Sequence, residues 1–168
     1  MVLAPLVEGV GRVDYREPNA LTSVQCLLLH AGKLRCGVPI SGVIEVMRCQ
    51  PVVAISNLPR FVMGVSIIRG DRVPVVDLCE LLGAAGEQTG RTRLVTVRVG
   101  SRVVALAVDS VTGIREFERN LLANVPPLLA CAHPEALAAI GLLDRELLMV
   151  LDESRMVPDE ILAELSDR

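Results

Sequence analysis

At 168 residues, 18.1 kDa and a formal net charge of −3, the chain has the size of one ordinary domain and lacks the basic excess of a nucleic-acid binder. It is 51% hydrophobic but only 2% aromatic, so the core has to be assembled from Val, Leu and Ile, and the many short valine clusters favour strands. The longest apolar stretch, 128–151, is interrupted by Pro134, Glu135, Asp144, Arg145 and Glu146, short of the roughly 18 uninterrupted residues a membrane span needs, which argues against direct insertion.

Residues 1–20 mix Gly, Pro and both charge signs without periodicity and read as a mobile N-terminal extension, with a single domain over 21–168. Strands are expected at Val24–His30 and Lys33–Ile40 around an Ala31-Gly32 turn, and at Val62–Ile68 and Val73–Asp77 around Gly70-Asp71. Leu94–Val99 and Arg102–Asp109 flank Gly100-Ser101, Val111–Phe117 adds a strand, and Leu137–Leu143 and Leu147–Leu151 flank Asp144-Arg145. These hairpins predict about nine strands in an antiparallel arrangement. Runs such as Val103 to Val108 are apolar on consecutive residues, as in strands buried on both faces, and two small barrels packed together would do that. Short helices are expected at Ser41–Met47, with Ser41 as N-cap, at Leu78–Leu82, and as an amphipathic C-terminal helix over 152–166. Gly83–Gly90 and the segment from Ala123 to Pro134 read as irregular connections.

No catalytic constellation emerges. The serines lack a nucleophile-elbow context, and Gly83-Ala84-Ala85-Gly86 lacks the Lys-Ser/Thr that would make it a phosphate loop. Asp77 and Asp109 each end an apolar strand, where an aspartate most often caps the following turn. Cys26, Cys36, Cys49, Cys79 and Cys131 show no metal or redox spacing and read as small hydrophobes of a reduced, cytoplasmic protein. The arginines at 91, 93, 98 and 102 read as a solvated sheet edge. The expectation is a non-enzyme with neither cofactor nor metal.

Between about Thr22 and Pro158 the chain resembles the CheW-like domains of bacterial chemotaxis. Four segments carry the resemblance: Gly37-Val38-Pro39-Ile40 followed by Val43-Ile44-Glu45-Val46; Asn57-Leu58-Pro59 through Phe61-Val62-Met63-Gly64-Val65; Arg69-Gly70 followed by Pro74-Val75-Val76-Asp77-Leu78; and Arg93-Leu94-Val95 through Val108-Asp109-Ser110-Val111. Cys36 stands where the family often has an aromatic residue, and Ile67 and Ile68 where Asn and Leu are usual.

The resemblance implies an all-β fold with short helices. Two five-stranded SH3-like antiparallel barrels would share a hydrophobic core, followed by the C-terminal helix. It implies an adaptor that joins the regulatory domain of a histidine autokinase to the cytoplasmic tip of chemoreceptors, recruited to membrane-associated arrays. Glu45 and Arg69 would lie on the receptor-facing side, and Val43, Gly64 and Gly70 are positions associated with binding. Physical chemistry adds an apolar floor from Val43, Val65 and Ile67, close backbone approach at Gly64 and Gly70, and an arginine anchor oriented by Glu45 through a charge-assisted bond. Two other functions stay open at this point. One is an adaptor of a chemosensory-like system controlling pili, gliding or development; the other is a small-molecule or redox sensor using Cys36, Cys49 or Cys131.

Overall fold

A computed structural model of the chain describes residues 22–84, 90–129 and 133–166. The expected N-terminal extension, Cys131, most of the Gly83–Gly90 connection and residues 130–132 lie outside them. Five strands form one sheet in the order β8-β1-β2-β10-β9: β1 (Ser23–Ala31), β2 (Leu34–Pro39), β8 (Ser110–Glu118), β9 (Leu137–Leu143) and β10 (Glu146–Leu151). The other five form a second sheet in the order β3-β6-β7-β5-β4: β3 (Val43–Arg48), β4 (Val62–Ile68), β5 (Asp71–Asp77), β6 (Arg93–Val99) and β7 (Arg102–Val108). Helix α1 (Leu78–Leu81) follows β5, and α2 (Asp159–Ser166) closes the described chain.

The consecutive apolar runs have a direct explanation. Along β1, Leu27, Leu29 and Ala31 face a large core shared by both sheets, while Cys26 and Leu28 face the interior of the first sheet's own barrel. Along β7, Val104, Leu106 and Val108 face the shared core, while Ala105 and Ala107 face the interior of the second barrel. Successive side chains on a strand point to opposite faces, so a strand lying between two cores is apolar at every position. Leu162 and Leu165 of α2 and the preceding Met156 and Val157 also enter the shared core, which ties the C-terminal helix to both lobes.

Four expectations need correction. Ser41–Met47 is not a helix: a single 3-10 turn at Ile40–Gly42 leads directly into β3, which becomes the tenth strand. The β-branched Val43, Ile44 and Val46 and pairing with β6 prevail over the apparent N-cap, and Ser41 lies inside the 3-10 turn, whose N-cap is Pro39. The sheets are not antiparallel throughout, because β2 pairs with β10 and β5 with β7 in parallel. The C-terminal helix begins only at Asp159, after Pro158, a residue suited to a helix entrance. Two turns sit one residue away from their expected places: Gly32 and Lys33 link β1 to β2, and Arg69 and Gly70 link β4 to β5. Gly100-Ser101 and Asp144-Arg145 turn where expected.

Candidate partner-binding site

Strand β3 is an edge of the second sheet and carries a bulge. Its register with β6 slips between Val43, opposite Val97, and Glu45, opposite Thr96, leaving Ile44 as the extra residue. Buried Thr96 fixes the strand after the bulge: the Glu45 N–H donates to Thr96 Oγ1 at 3.2 Å, and that hydroxyl donates to the Glu45 carbonyl at 3.3 Å. Strand β4 is the opposite edge of the same sheet, and its turn into β5 places Arg69 at φ 52° and Gly70 at φ 91°. Positive φ at both central residues is the hairpin geometry that usually selects Asn-Gly, so an arginine there is held against its backbone preference.

The reason lies across the gap between the two edges. Arg69 donates from Nε to both Glu45 oxygens, at 2.9 and 3.1 Å, and from Nη2 to Oε2 at 2.6 Å. The Glu45 side chain is 22% exposed and that of Arg69 78%, so the carboxylate is the seat and the guanidinium is the presented group. The hydrogen bonds from Arg69 hold the Glu45 carboxyl below the usual carboxylate range, against a smaller opposing effect of burial, and Glu45 in turn raises the arginine further. A guanidinium has five N–H donors, so the Nη1 hydrogens and one on Nη2 lie outside this pairing.

The pair lines one concavity, and Arg72 connects that one to a second. The first, of about 370 Å³, is walled by Ile44, Glu45, Arg69, Arg72 and Arg102, with Leu162 of α2 also on its lining. The other is an apolar groove of about 660 Å³ formed by Val53, Ile55, Val65, Ile67 and Leu165, and Arg72 borders this one too. Val53 and Ile67 are 70% and 61% exposed, which is unusual for β-branched residues beside a well-filled core.

The expected site residues therefore separate into four groups. Glu45 and Arg69 meet as anticipated, and Val65 and Ile67 line the apolar groove. Val43 lines neither concavity and is half-buried against the shared core. Gly70 is exposed, and a Cβ there would meet nothing within 4 Å, so backbone geometry is what it supplies. Gly64 is buried at φ 140°, and a Cβ on it would lie 2.0 Å from the Val53 carbonyl oxygen, so the close approach it permits is to its own chain. The 51–55 segment crosses β4 there, with Val53 N–H to Val65 O at 2.8 Å and Val65 N–H to Val53 O at 3.0 Å.

Sequence reading missed Val53, Arg72, Arg102 and Leu165. Val53 lies in a Pro-Val-Val stretch with neither helical nor strand periodicity, and Leu165 carries only the signal of a helix face. The arginine group was read as uniformly solvated, yet Arg91 pairs with buried Asp77 and Arg102 is half-buried with its Nη1 enclosed.

Asp77 caps the turn that follows its strand, whereas Asp109 holds the distant β1–β2 turn. Asp77 accepts from the Cys79 and Glu80 N–H groups at the start of α1, and Asp109 from the Gly32 N–H at 2.6 Å. Among the described cysteines, Cys26, Cys36 and Cys79 are buried and Cys49 is exposed; burial pushes the Cys26 thiol up to about 11. That removes Cys36 as an accessible sensor thiol. Among the described residues no group of His, Cys, Asp and Glu is placed to hold a metal ion, and no helix is long and apolar enough to cross a membrane.

Comparison with known proteins agrees with this architecture. The family model described as CheW-like domain matches residues 25–160. Protein FrzA of Myxococcus xanthus is 37% identical over 112 residues, covering 65% of this chain and 68% of that protein. The chemotaxis protein CheW of Klebsiella aerogenes is 27% identical over 138 residues, covering 82% and 83%. The crystal structure of the scaffolding protein TtCheW from Thermoanaerobacter tengcongensis superposes with a TM-score of 0.72 over 82% of this chain and 89% of that one, at 19% identity, and shares the fold of paired SH3-like barrels. With the family model spanning both lobes, the chain belongs to the CheW-like domain family, the non-enzymatic scaffolding adaptors of chemotaxis-type signalling.

Proposed function

We propose that this chain couples the cytoplasmic tip of chemoreceptors to the regulatory domain of a histidine autokinase. It would work in the cytoplasm, at membrane-associated receptor arrays, without entering the bilayer and without nucleic acid. The observation that carries the receptor side of this reading is the Glu45–Arg69 pair, a bidentate contact between two edge strands beside an exposed apolar groove. A helical hairpin laid in such a groove needs an apolar floor and a fixed polar anchor. Val65 and Ile67 supply the floor, with Val53 at its margin, and Arg69 is the anchor. Val43, Gly64 and Gly70 act indirectly: Val43 by seating the start of β3, Gly64 by admitting the 51–55 crossover, and Gly70 by allowing the turn that presents Arg69.

Calorimetric titration tests the reading. The chain is titrated with a receptor cytoplasmic fragment and, separately, with kinase regulatory domains encoded in the same genome. Micromolar binding to one of each supports the adaptor; absence of binding to any regulatory domain sinks it. The second reading is an adaptor of a chemosensory-like system with another output, such as pili, gliding or development. It rests on the similarity to protein FrzA, 37% identical over 112 residues, and the chemotaxis protein CheW of Rhizobium meliloti, 38% identical over 78 residues, stands beside it for the first reading. Which of the organism's kinases binds in the same titrations decides between the two.

A further inference from the structure

Arg102 opens β7, opposite Val99 across the Gly100-Ser101 turn, and its side chain lies along the smaller concavity. Its Nη1 is shielded from solvent and has no hydrogen-bond acceptor in the protein. Buried polar groups are nearly always paired, and a guanidinium nitrogen left unpaired is among the costlier exceptions. The other charged groups on the wall, two arginines and two carboxylates, balance one another, so Arg102 leaves the concavity with an excess of one positive charge. Arg69 and Arg72 stand on it, against the carboxylates of Glu45 and Asp71, and Glu45 is already engaged by Arg69. The concavity thus holds three guanidinium groups and two carboxylates, with the outward hydrogens of Arg69 at its exposed side.

We propose that this concavity receives one carboxylate side chain, Asp or Glu, from the helical partner that lies in the neighbouring apolar groove. The carboxylate accepts from the outward hydrogens of Arg69. The Arg102 guanidinium, on a long half-exposed side chain, swings toward it so that Nη1 gains an acceptor that the chain itself does not provide. Arg102 is then a specificity-determining residue: it makes an acidic residue at one position of the partner a requirement, because an uncharged residue there leaves Nη1 unpaired. The ownership of the carboxylate rests on the receptor reading above; the existence of a carboxylate site does not.

Two experiments separate these claims. In the first, the Nε–Hε signals of the arginines are followed by NMR while sodium acetate replaces sodium chloride at constant ionic strength. The expected result is a shift of the Arg102 and Arg69 signals with acetate that is absent with neutral acetamide, with the Arg69 response weakened in Arg102→Met, a variant that keeps most of the apolar stem. Signals that follow acetamide as well as acetate, or that do not respond to acetate, overturn the carboxylate site. In the second, a receptor cytoplasmic fragment is titrated calorimetrically with wild type and Arg102→Met. A loss of about tenfold or more is expected, and it should vanish against a receptor fragment in which one particular Glu or Asp is replaced by Gln or Asn. An unchanged affinity for Arg102→Met overturns the assignment to the receptor. If wild type binds no receptor fragment at all, the receptor reading falls with that assignment, and the acetate result stands or falls separately.

Discussion

Gly64 is the residue whose replacement the structure makes most informative. A Cβ built at this position lies 2.0 Å from the Val53 carbonyl oxygen, 2.7 Å from its carbon and 2.9 Å from the Ala54 Cα. All three neighbours are backbone, so no side-chain rotation relieves the clash, and the 51–55 segment must retreat by at least about 1 Å to restore ordinary contact. That retreat breaks the pair of hydrogen bonds between Val53 and Val65, now 2.8 and 3.0 Å. Two such bonds contribute about 1 kcal/mol each, and forcing an L side chain to φ 140° adds about 1–3 kcal/mol. Gly64→Ala should therefore destabilise the chain by about 3–5 kcal/mol, lowering Tm by roughly 6–20 °C for a domain of this size. Gly70→Ala is the matched control. Its φ is 91° but its Cβ would face open space, so only the backbone penalty of about 1 kcal/mol applies. Thermal unfolding by circular dichroism, checked by urea titration, measures both. A Gly64→Ala protein within about 2 °C of wild type would refute the crowding argument, as would Gly70→Ala being equally damaging.

Three further outcomes follow from the site. Arg69→Asn places a residue favoured at positive φ in the β4–β5 turn and gives up an exposed ion pair, a kind that contributes little to stability. Its Tm should match wild type or exceed it by up to about 3 °C, while receptor affinity falls about 30-fold, as for a lost hot-spot arginine; a Tm several degrees lower would show that the pair is structural. The lowered Glu45 pKa fixes the sign of a pH effect: the pair's contribution to stability is fully present above the ordinary value of 4.5 and is lost as pH falls through the lowered folded value. The Tm difference between wild type and Glu45→Gln should be constant from about pH 8 to 5.5 and shrink below about pH 4.5, and a difference that already shrinks near neutrality contradicts the assignment. With a thiol reagent and peptide mapping, Cys49 should label in the native protein and Cys26, Cys36 and Cys79 only on unfolding; rapid native labelling of Cys36 would return it to the candidate sensor thiols beside the exposed Cys49.

Much of the fold was legible because its signals are local. The turns at Gly100-Ser101 and Asp144-Arg145, and the β-branched runs around them, fix hairpins without knowledge of the rest of the chain. Strand β3 was missed because its cues conflict: Ser41 looks like an N-cap, whereas pairing with β6 is a long-range fact. The parallel pairs β2·β10 and β5·β7 were invisible for a related reason, since they arise when distant segments close each sheet. The Glu45–Arg69 contact was anticipated because a family resemblance supplied both positions and charge chemistry supplied the bond. Gly64 was read as room for a partner, yet the room is filled by residues 51–55, and nothing in that irregular stretch announces where it crosses. Arg102 looked like its solvated neighbours because enclosure of one guanidinium nitrogen depends on the cavity around it.

The charge-swap cycle on Glu45 and Arg69, read by calorimetric titration with a receptor cytoplasmic fragment, tests the central claim most directly. If Glu45 holds Arg69 for a partner, Glu45→Lys and Arg69→Glu should each weaken receptor binding by about tenfold or more. The double exchange should recover part of the loss, and affinity for the kinase regulatory domain should stay unchanged in all three. Receptor affinity in Glu45→Lys equal to that of wild type would contradict the claim.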